Sequence, residues 1–191
     1  YLYALKDEHG RVEKVVTITQ DITERKRAEA VRHAVYRISE AANLTSDVQE
    51  LFSSIHASLM FLMPADNFYI ALYDEETDLI SFPYFVDQHD PPPAPKKPGK
   101  GLTEYVLATG RPLLITEDVF QDLIERGEVE LIGTPSIDWM GVPLRVGERV
   151  IGVAGLQSFR ENVRYTPDDL DMLRFVSDQI AMAIERRRTE D

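Results

Sequence analysis

The sequence of 191 residues is 43% apolar and 28% charged, an ordinary composition for a globular chain with one core and an appendage. Its net charge is −12 and no stretch is dominated by Lys and Arg, which argues against nucleic acid or an anionic membrane as the main partner. Cysteine is absent, which excludes disulfides, thiolate metal sites and thiol nucleophiles. The sequence contains neither a run of about 18 apolar residues nor a signal peptide, so we expect a cytoplasmic protein without direct membrane insertion.

The N-terminal segment is typical of a lone β-hairpin. Tyr1–Leu5 and Val12–Thr19 are strand-like, and the polar segment between them contains Gly10, which suits a turn. Two strands bury too little apolar surface to be stable alone, so we expect the hairpin to belong to a sheet whose other strands lie outside the sequence. The chain also begins without Met inside a strand-like run, as a piece of a longer protein would.

Two helices are predicted next. The first begins near Glu24, and its apolar residues recur in a short heptad seam: Ala28, Val31, Val35, Ile38 and Ala42. This seam fits either a helix packed on its own domain or a coiled coil between two copies of the chain. The second helix runs from Val48 to Met63, opened by Thr45-Ser46-Asp47 as a cap and closed by Pro64.

The middle of the sequence alternates strands with turns and loops. Strands are predicted at Phe68–Tyr73 and Leu79–Val86, joined by an acidic turn without the ligand spacing of a calcium loop. The segment Asp87–Lys100 is rich in Pro, so we expect an extended loop with little backbone hydrogen bonding. A short helix then runs from Gly101-Leu102 to Gly110, which suits its C-terminal cap.

The C-terminal third contains three strands and two helices. Leu113–Ile115 is a short strand, and Thr116 is predicted to cap an acidic helix that ends near Arg126. Alternating strands follow at Ile137–Arg145 and Val150–Ser158. The last helix opens with Thr166-Pro167-Asp168-Asp169, which provides an N-cap, a Pro at the first helical position and an acid two residues later, and no stop signal follows it.

Three groups of motifs carry a family resemblance. They are Gly101-Leu102 with Thr109-Gly110-Arg111-Pro112, then Gly141-Val142-Pro143-Leu144 with Ile151-Gly152-Val153, then Tyr165–Leu170 leading to Asp178–Glu185. In this element order they resemble the GAF family, small ligand-binding or relay modules of signalling proteins, over about Ala34–Arg187. The resemblance implies an α+β fold with a central antiparallel sheet. Long terminal helices would cover one face, and short helices and loops would cover a possible pocket on the other.

The start of the chain resembles a different family. Asp7–Gly10 followed by Val15–Glu24 is similar to the last hairpin of a PAS sensor domain and its exit into a linker helix. A strand that runs directly into a helix would transmit motion, and Asp21 suits the helix start as an N-cap. We therefore divide the chain into a PAS remnant at 1–23, a linker helix at 24–42, a GAF domain at 34–187 and the start of an output linker at 188–191. This layout resembles sensor histidine kinases of bacterial two-component systems, with diguanylate cyclases as the alternative.

The sequence assigns no catalytic residue and no cofactor. Free methionine sulfoxide reductases of the GAF resemblance need cysteines, as does thioether attachment of a bilin, so we expect neither catalysis nor a covalent bilin. The four histidines, His9, His33, His56 and His89, form no local metal pair. His33 lacks the neighbours of a kinase phosphoacceptor, and His56 is interpreted as a structural histidine rather than an axial haem ligand.

Two function classes remain open. In the first, a small ligand binds in a GAF pocket whose wall, by family analogy, comprises Phe82, Tyr84, Gly101, Tyr105 and Trp139, although all five also suit a plain core. The free N–H groups at the start of the Leu102 helix could hold an anionic group of that ligand. In the second class, the domain is an empty relay whose own side chains fill the pocket. We expect a parallel homodimer through the two terminal helices, with flanking PAS and output domains.

Overall fold

The computed structural model describes residues 2–17, 21–44 and 47–190, which fold into five helices and seven strands. In chain order these elements are β1 Leu2–Lys6, β2 Val12–Thr17, α1 Thr23–Leu44, α2 Val48–Leu62, β3 Asn67–Asp74, β4 Leu79–Val86, α3 Leu102–Thr109, β5 Leu113–Ile115, α4 Glu117–Glu125, β6 Asp138–Val146, β7 Arg149–Ser158 and α5 Pro167–Glu190. Each predicted element is present, with small shifts at its ends.

The strands β1 and β2 form the predicted antiparallel hairpin, a separate two-stranded sheet. Gly10 has a φ of 76°, the left-handed conformation that a turn here requires. The Asp7 carboxylate accepts hydrogen bonds from the backbone N–H groups of His9 at 2.9 Å and Arg11 at 2.8 Å, which fixes the turn. The last two residues of the predicted second strand, Ile18 and Thr19, lie outside the described residues.

Helix α1 begins at Thr23, two residues after Asp21. The Asp21 carboxylate accepts a hydrogen bond from the Thr23 backbone N–H at 2.9 Å, as predicted for a cap, and hydrogen bonding from Thr23 lowers the Asp21 pKa. Asp47 caps α2 by accepting from the Gln49 N–H at 2.8 Å, whereas Thr45 and Ser46 lie outside the described residues.

The main sheet has five strands in the order β4-β3-β7-β6-β5, and every neighbouring pair is antiparallel. Helices α1, α2 and α5 cover one face, where a large core includes Phe52, Phe68, Met140 and Ile180. The long terminal helices therefore lie on the same face of the sheet, as the GAF resemblance implies. Within the described residues, no helix has both the length and the apolar composition needed to cross a membrane.

The heptad seam of α1 packs mainly against its own domain. Ile38 and Ala42 are buried against the helical core, Val31 and Val35 are partly buried there, and Ala28 is exposed. Helices α1 and α5 run side by side in the same direction, since Arg27 pairs with Asp168 at 2.5 Å and Ser39 donates to Gln179 at 3.3 Å.

The N-terminus of α5 is a reciprocal capping box. The Asp169 backbone N–H donates to Thr166 Oγ1 at 3.2 Å, and Asp169 Oδ2 accepts from the Thr166 backbone N–H at 2.8 Å. This confirms the sequence prediction for the last helix. Thr116 occupies the N-cap position of α4, but its side chain makes no capping hydrogen bond. The predicted position of this cap is therefore confirmed, whereas the predicted capping by its side chain is wrong.

Strand β4 carries a bulge at Phe82-Pro83. Ile70 pairs with Tyr84 and Leu72 with Ser81, so three steps along β4 match two steps along β3. Pro83 suits this position because it has no N–H to contribute to the ladder. The bulge inverts the side-chain alternation, so Phe82 and Phe85 face one side of the sheet and Tyr84 faces the helical core.

Short helices and two loops cover the other face of the sheet. The Pro-rich segment is extended, but it pairs with the sheet edge at one point: the Ile80 and Lys96 backbones exchange N–H to carbonyl hydrogen bonds at 2.7 and 3.0 Å. The expectation of little backbone hydrogen bonding is therefore wrong at Lys96. This contact holds the loop over a second, smaller core cluster on this face of the sheet, which includes Tyr69, Ile80, Val106 and Trp139.

Candidate ligand pocket

A cavity of about 1350 Å³ lies between the sheet and these covering segments. Its wall combines sheet residues, the start of α3, one side of α4, the Pro-rich loop and the loop before β6. Five aromatic side chains line it: Tyr69, Phe82, Phe85, Phe120 and Trp139. A pocket of about 300–1,000 Å³ is usual for a small-molecule site, so this cavity is ample for one.

Tyr69 of β3 and Trp139 of β6 lie on the sheet side of the cavity and form its aromatic floor. Two glycines make room for these rings. Gly155 of β7 pairs with Tyr69 on one side and with Gly141 of β6 on the other. A Cβ atom added to Gly155 would lie 2.5 Å from Tyr69 Oη, and one added to Gly141 would lie 2.8 Å from Trp139 Cζ2. Because both glycines lack side chains, the two rings lie across the sheet at this point.

The polar groups of the floor satisfy one another. Trp139 Nε1 donates a hydrogen bond to Tyr69 Oη at 3.0 Å, and Tyr69 Oη shares a hydrogen bond with Thr103 Oγ1 at 2.7 Å. Tyr69 is 5% exposed, and burial raises its pKa to about 12. The floor therefore connects β3, β6 and α3 through one tyrosine hydroxyl.

The Pro-rich loop and the loop before β6 form the roof of the cavity, and hydrogen bonds join these two loops. Asp90 of the Pro-rich loop accepts from the Thr134 backbone N–H at 2.8 Å and from its hydroxyl at 3.0 Å. The Glu130 N–H donates to the Lys100 carbonyl at 2.7 Å. These contacts fasten the Pro-rich loop to the loop before β6, so the roof moves only if both loops move.

Both cationic side chains of the lining are paired with buried carboxylates. Lys96 Nζ lies 2.9 Å from Glu104 Oε1, and Arg164 Nε donates to Asp138 Oδ1 at 2.9 Å. Glu104 is 5% exposed and Asp138 1% exposed. The hydrogen bond with Asp138 raises the pKa of Arg164. The Glu104 carboxylate also packs beside Gly101, where an added Cβ would be 2.5 Å from its Oε2, so the start of α3 faces a carboxylate of the chain itself.

Three of the five wall residues expected from the sequence line the cavity, namely Phe82, Gly101 and Trp139. Tyr84 does not, because the β4 bulge turns it to the helical face, where its hydroxyl lies 2.9 Å from His56 Nδ1. Tyr105 lies next to the lining of α3 but outside it, and a hydrogen bond with Glu128 raises the Tyr105 pKa.

Sequence reasoning missed three of the aromatic wall residues, Tyr69, Phe85 and Phe120. Helix α4 contained the clearest signal for the last of these, because Glu117, Phe120, Gln121 and Ile124 recur at helical spacing and all four line the cavity. Phe85 could not be identified from alternation, since the bulge changes the face on which it lies.

His56 is buried and both of its ring nitrogens have protein partners. Nε2 lies 2.6 Å from the Ala65 carbonyl, which can only accept, so Nε2 donates to it, and Nδ1 lies 2.9 Å from the Tyr84 hydroxyl. This arrangement is that of a structural histidine. Among residues 2–17, 21–44 and 47–190, no group of three or more His, Asp or Glu side chains is arranged to hold a metal ion.

Comparison with solved structures identifies the fold. The chain is similar to the free methionine-R-sulfoxide reductase of Neisseria meningitidis in complex with its substrate, at 16% identity and a TM-score of 0.66 over 92% of this chain and 98% of that one. It is also similar to the GAF domain of a phosphoenolpyruvate-protein phosphotransferase from Acinetobacter, at 16% identity and a TM-score of 0.65 over 87% and 96% of the two chains. The equivalent domain from Coxiella burnetii gives 13% identity and a TM-score of 0.66 over 85% and 97%. Identities this low establish a shared fold alone.

No curated protein sequence matches the chain. The family model described as GAF domain matches residues 45–185, which include the cavity, the main sheet and most of α5. The predicted element order, the antiparallel sheet and the long helices on one face agree with this match. The chain therefore belongs to the GAF domain family.

Proposed function

We propose that this chain is a non-catalytic sensory module that binds a small molecule in the cavity and passes the resulting change to neighbouring domains. The observation that carries the proposal is the cavity itself, about 1350 Å³ with an aromatic floor that the chain's own side chains leave open. The alternative, a relay that binds nothing, predicts a pocket filled by its own core. Phe82, Gly101 and Trp139 are the proposed ligand contacts from the sequence, and Tyr69, Phe85 and Phe120 join them.

Strand β6 offers a short route from the cavity to helix α5. Trp139 lies in the floor, and the preceding residue, Asp138, accepts a hydrogen bond from the Tyr165 backbone N–H at 2.8 Å. Tyr165 directly precedes Thr166, the N-cap of α5. A ligand that shifts Trp139 would therefore move the residues that position the start of α5, and a helix carries such a shift along its whole length.

The proposed outputs lie in neighbouring domains. The hairpin and the start of α1 (1–23) are proposed as the end of a PAS domain, with 24–42 as linker and 188–191 as the link to an output enzyme. A histidine kinase of a two-component system is the proposed output, and a diguanylate cyclase is the alternative. On this proposal the module acts in the cytoplasm.

The proposed module has no reaction of its own. One of the solved structures that it resembles is a methionine-R-sulfoxide reductase, whereas this chain has no cysteine to act as a thiol. We expect the purified chain to turn over neither ATP nor GTP and not to reduce methionine sulfoxide with dithiothreitol present. Turnover of any of the three substrates above the rate of a heat-denatured sample would contradict the proposal.

Native mass spectrometry of the gently purified chain tests ligand binding. A sensory module should carry an excess mass that disappears on denaturation. Phe120→Ala should reduce the fraction of chain that carries this mass, because the ring contributes to the cavity wall. Tyr84→Phe is the matched control, since this aromatic residue lies on the opposite face of the sheet and its change should leave the fraction unaltered. A folded chain with no excess mass favours the relay.

The same spectrum tests the proposed homodimer. Tyr36 of α1 and Phe175 and Met182 of α5 are 60–63% exposed although large and apolar, and Phe175 and Met182 are seven residues apart on one side of the helix. We expect a dimer that Phe175→Asp converts to a monomer. Phe61→Asp is the control, because Phe61 is similarly exposed at 66% but lies on α2. A monomeric wild-type chain at micromolar concentration would overturn the dimer.

A further inference from the structure

The hydrogen-bonding groups of Tyr69 and Trp139 in the floor of the cavity are already used within the protein. The Trp139 N–H is donated to Tyr69 Oη, and the Tyr69 hydroxyl is shared with Thr103. A ligand that placed a polar atom there would have to compete with bonds inside the protein. The ligand therefore meets the floor through the faces and edges of aromatic rings, which favours a flat apolar body.

The two cationic side chains that line the cavity are also paired within the protein. Lys96 and Arg164 each neutralise a carboxylate that is at least nine-tenths buried, Glu104 and Asp138 respectively. Drawing either cation towards a ligand anion would leave a buried carboxylate without its partner, which is costly. The start of α3 is also closed to an anion, because the Glu104 carboxylate already lies beside Gly101.

The lining offers carboxylates instead. Four acids line the cavity, Asp90, Glu117, Glu130 and Glu161, against the two paired cations. Asp90 is held by Thr134, and Glu130 lies 3.8 Å from Lys100 Nζ. In the described part of the chain, the side chains of Glu117 and Glu161 make no hydrogen bond or ion pair, although Glu117 acts electrostatically on Arg164.

Glu117 and an aromatic ring lie on the same stripe of α4. Phe120 follows Glu117 by three residues, so the two side chains project from the same side of the helix one turn apart, and both line the cavity. A cationic group held by Glu117 at the rim would thus be joined to an apolar body beside Phe120. Cations also interact favourably with the faces of such rings.

We propose that the ligand of this cavity is an organic cation, with a flat apolar body against the aromatic floor and an ammonium group at the rim near Glu117 and Glu161. This inference rests on the proposed sensory function and names the class of molecule that the cavity selects. It excludes phosphate-bearing and carboxylate-bearing ligands as preferred occupants.

Three probes with one indole body and different side-chain charges test the class: tryptamine, tryptophol and indole-3-acetate. Isothermal titration calorimetry of the full chain at pH 7 and low salt should give about tenfold tighter binding of tryptamine than of indole-3-acetate, with tryptophol between them, as expected for rim carboxylates that are partly solvated. The preference for tryptamine should decrease in high salt, because exposed charges are screened.

Matched charge variants locate the effect. Glu117→Gln with Glu161→Gln should remove the preference for tryptamine and leave tryptophol binding unchanged. Glu75→Gln with Glu76→Gln is the control, since it changes the net charge equally in the exposed β3–β4 turn, away from the cavity, and should keep the preference. Circular dichroism of each variant verifies that it is folded.

The remaining outcomes separate this inference from the proposed function. Equal binding of the three probes would overturn the cation class while leaving a ligand-binding cavity in place. Tighter binding of indole-3-acetate would overturn it as well. If no probe binds at millimolar concentration, the inference is wrong, and the native mass spectrum of the wild-type chain decides separately whether the module carries a ligand.

Discussion

Replacing Gly155 with alanine should break the floor of the cavity. A Cβ atom at this position would lie 2.5 Å from Tyr69 Oη and 2.6 Å from Tyr69 Cε1, whereas ordinary contact begins at 3.4 Å. Ring atom Cζ lies closer still, so the tyrosine ring must move by about an ångström or slightly more. The ring stacks on Phe85, and its hydroxyl is hydrogen-bonded to Trp139 and Thr103, so moving it towards the cavity disrupts these contacts.

The expected loss of stability has two parts. Overpacking a well-packed core costs about 1–3 kcal/mol. Displacing the Tyr69 hydroxyl also weakens its bonds to Trp139 and Thr103, at about 1 kcal/mol each. Alanine would otherwise be preferred to glycine in a strand by about 0.5–1 kcal/mol. The net expectation is a loss of about 2–4 kcal/mol, or a fall in Tm of about 4–16 °C for a domain of this size.

Urea unfolding followed by fluorescence measures this change at the site itself, because Trp139 is the single tryptophan of the chain. Far-UV circular dichroism provides the global transition. Gly99→Ala is the control, since a Cβ there would come no closer than 3.9 Å to any neighbour, and it should change stability by less than about 0.5 kcal/mol.

A double-mutant cycle tests the cause. Tyr69→Ala removes the ring that the new methyl group meets, so Gly155→Ala should cost little in that background, with a coupling of about 1–3 kcal/mol. If Gly155→Ala is as stable as the wild type, or if its cost is unchanged when Tyr69 is alanine, the account of the floor given above is refuted.

Three further changes test the structure. Because burial raises the Tyr69 pKa from 10.0 to about 12, its contribution is complete below pH 10 and is lost as the pH rises to 12; Tyr69→Phe should flatten the fall in unfolding free energy between pH 9 and 11 by about 1.4 kcal/mol. Thr166→Ala should cost about 1 kcal/mol in urea unfolding because it removes a capping hydrogen bond, whereas Thr116→Ala, at an N-cap without one, should be nearly neutral. His56→Leu should cost about 1–3 kcal/mol, because it leaves the buried Ala65 carbonyl without its donor; equal stability of this variant and the wild type would contradict the assigned hydrogen bond.

The sequence alone determined the elements and their order. Hydrophobic periodicity and caps are local properties, so Leu79–Val86 and Leu113–Ile115 were predicted with the bounds that the structure shows, and the box at Thr166 was predicted with its chemistry. The GAF motifs extended this order to the sheet and to the face that the terminal helices cover. Of the five wall residues expected by family analogy, Phe82, Gly101 and Trp139 line the cavity, whereas Tyr84 and Tyr105 do not.

Only the tertiary structure decided which side chains meet inside the cavity. One extra residue at Pro83 changes the face of every residue beyond it in β4, so Tyr84 turns away from the cavity and Phe85 towards it. Tyr69 and Gly155 meet because two strands 86 positions apart in the sequence pair in one register. Likewise, the pairing of Lys96 with Glu104 and of Arg164 with Asp138 sets the charge that a ligand meets. Register and long-range pairing depend on the whole sheet, and no local pattern of residues encodes them.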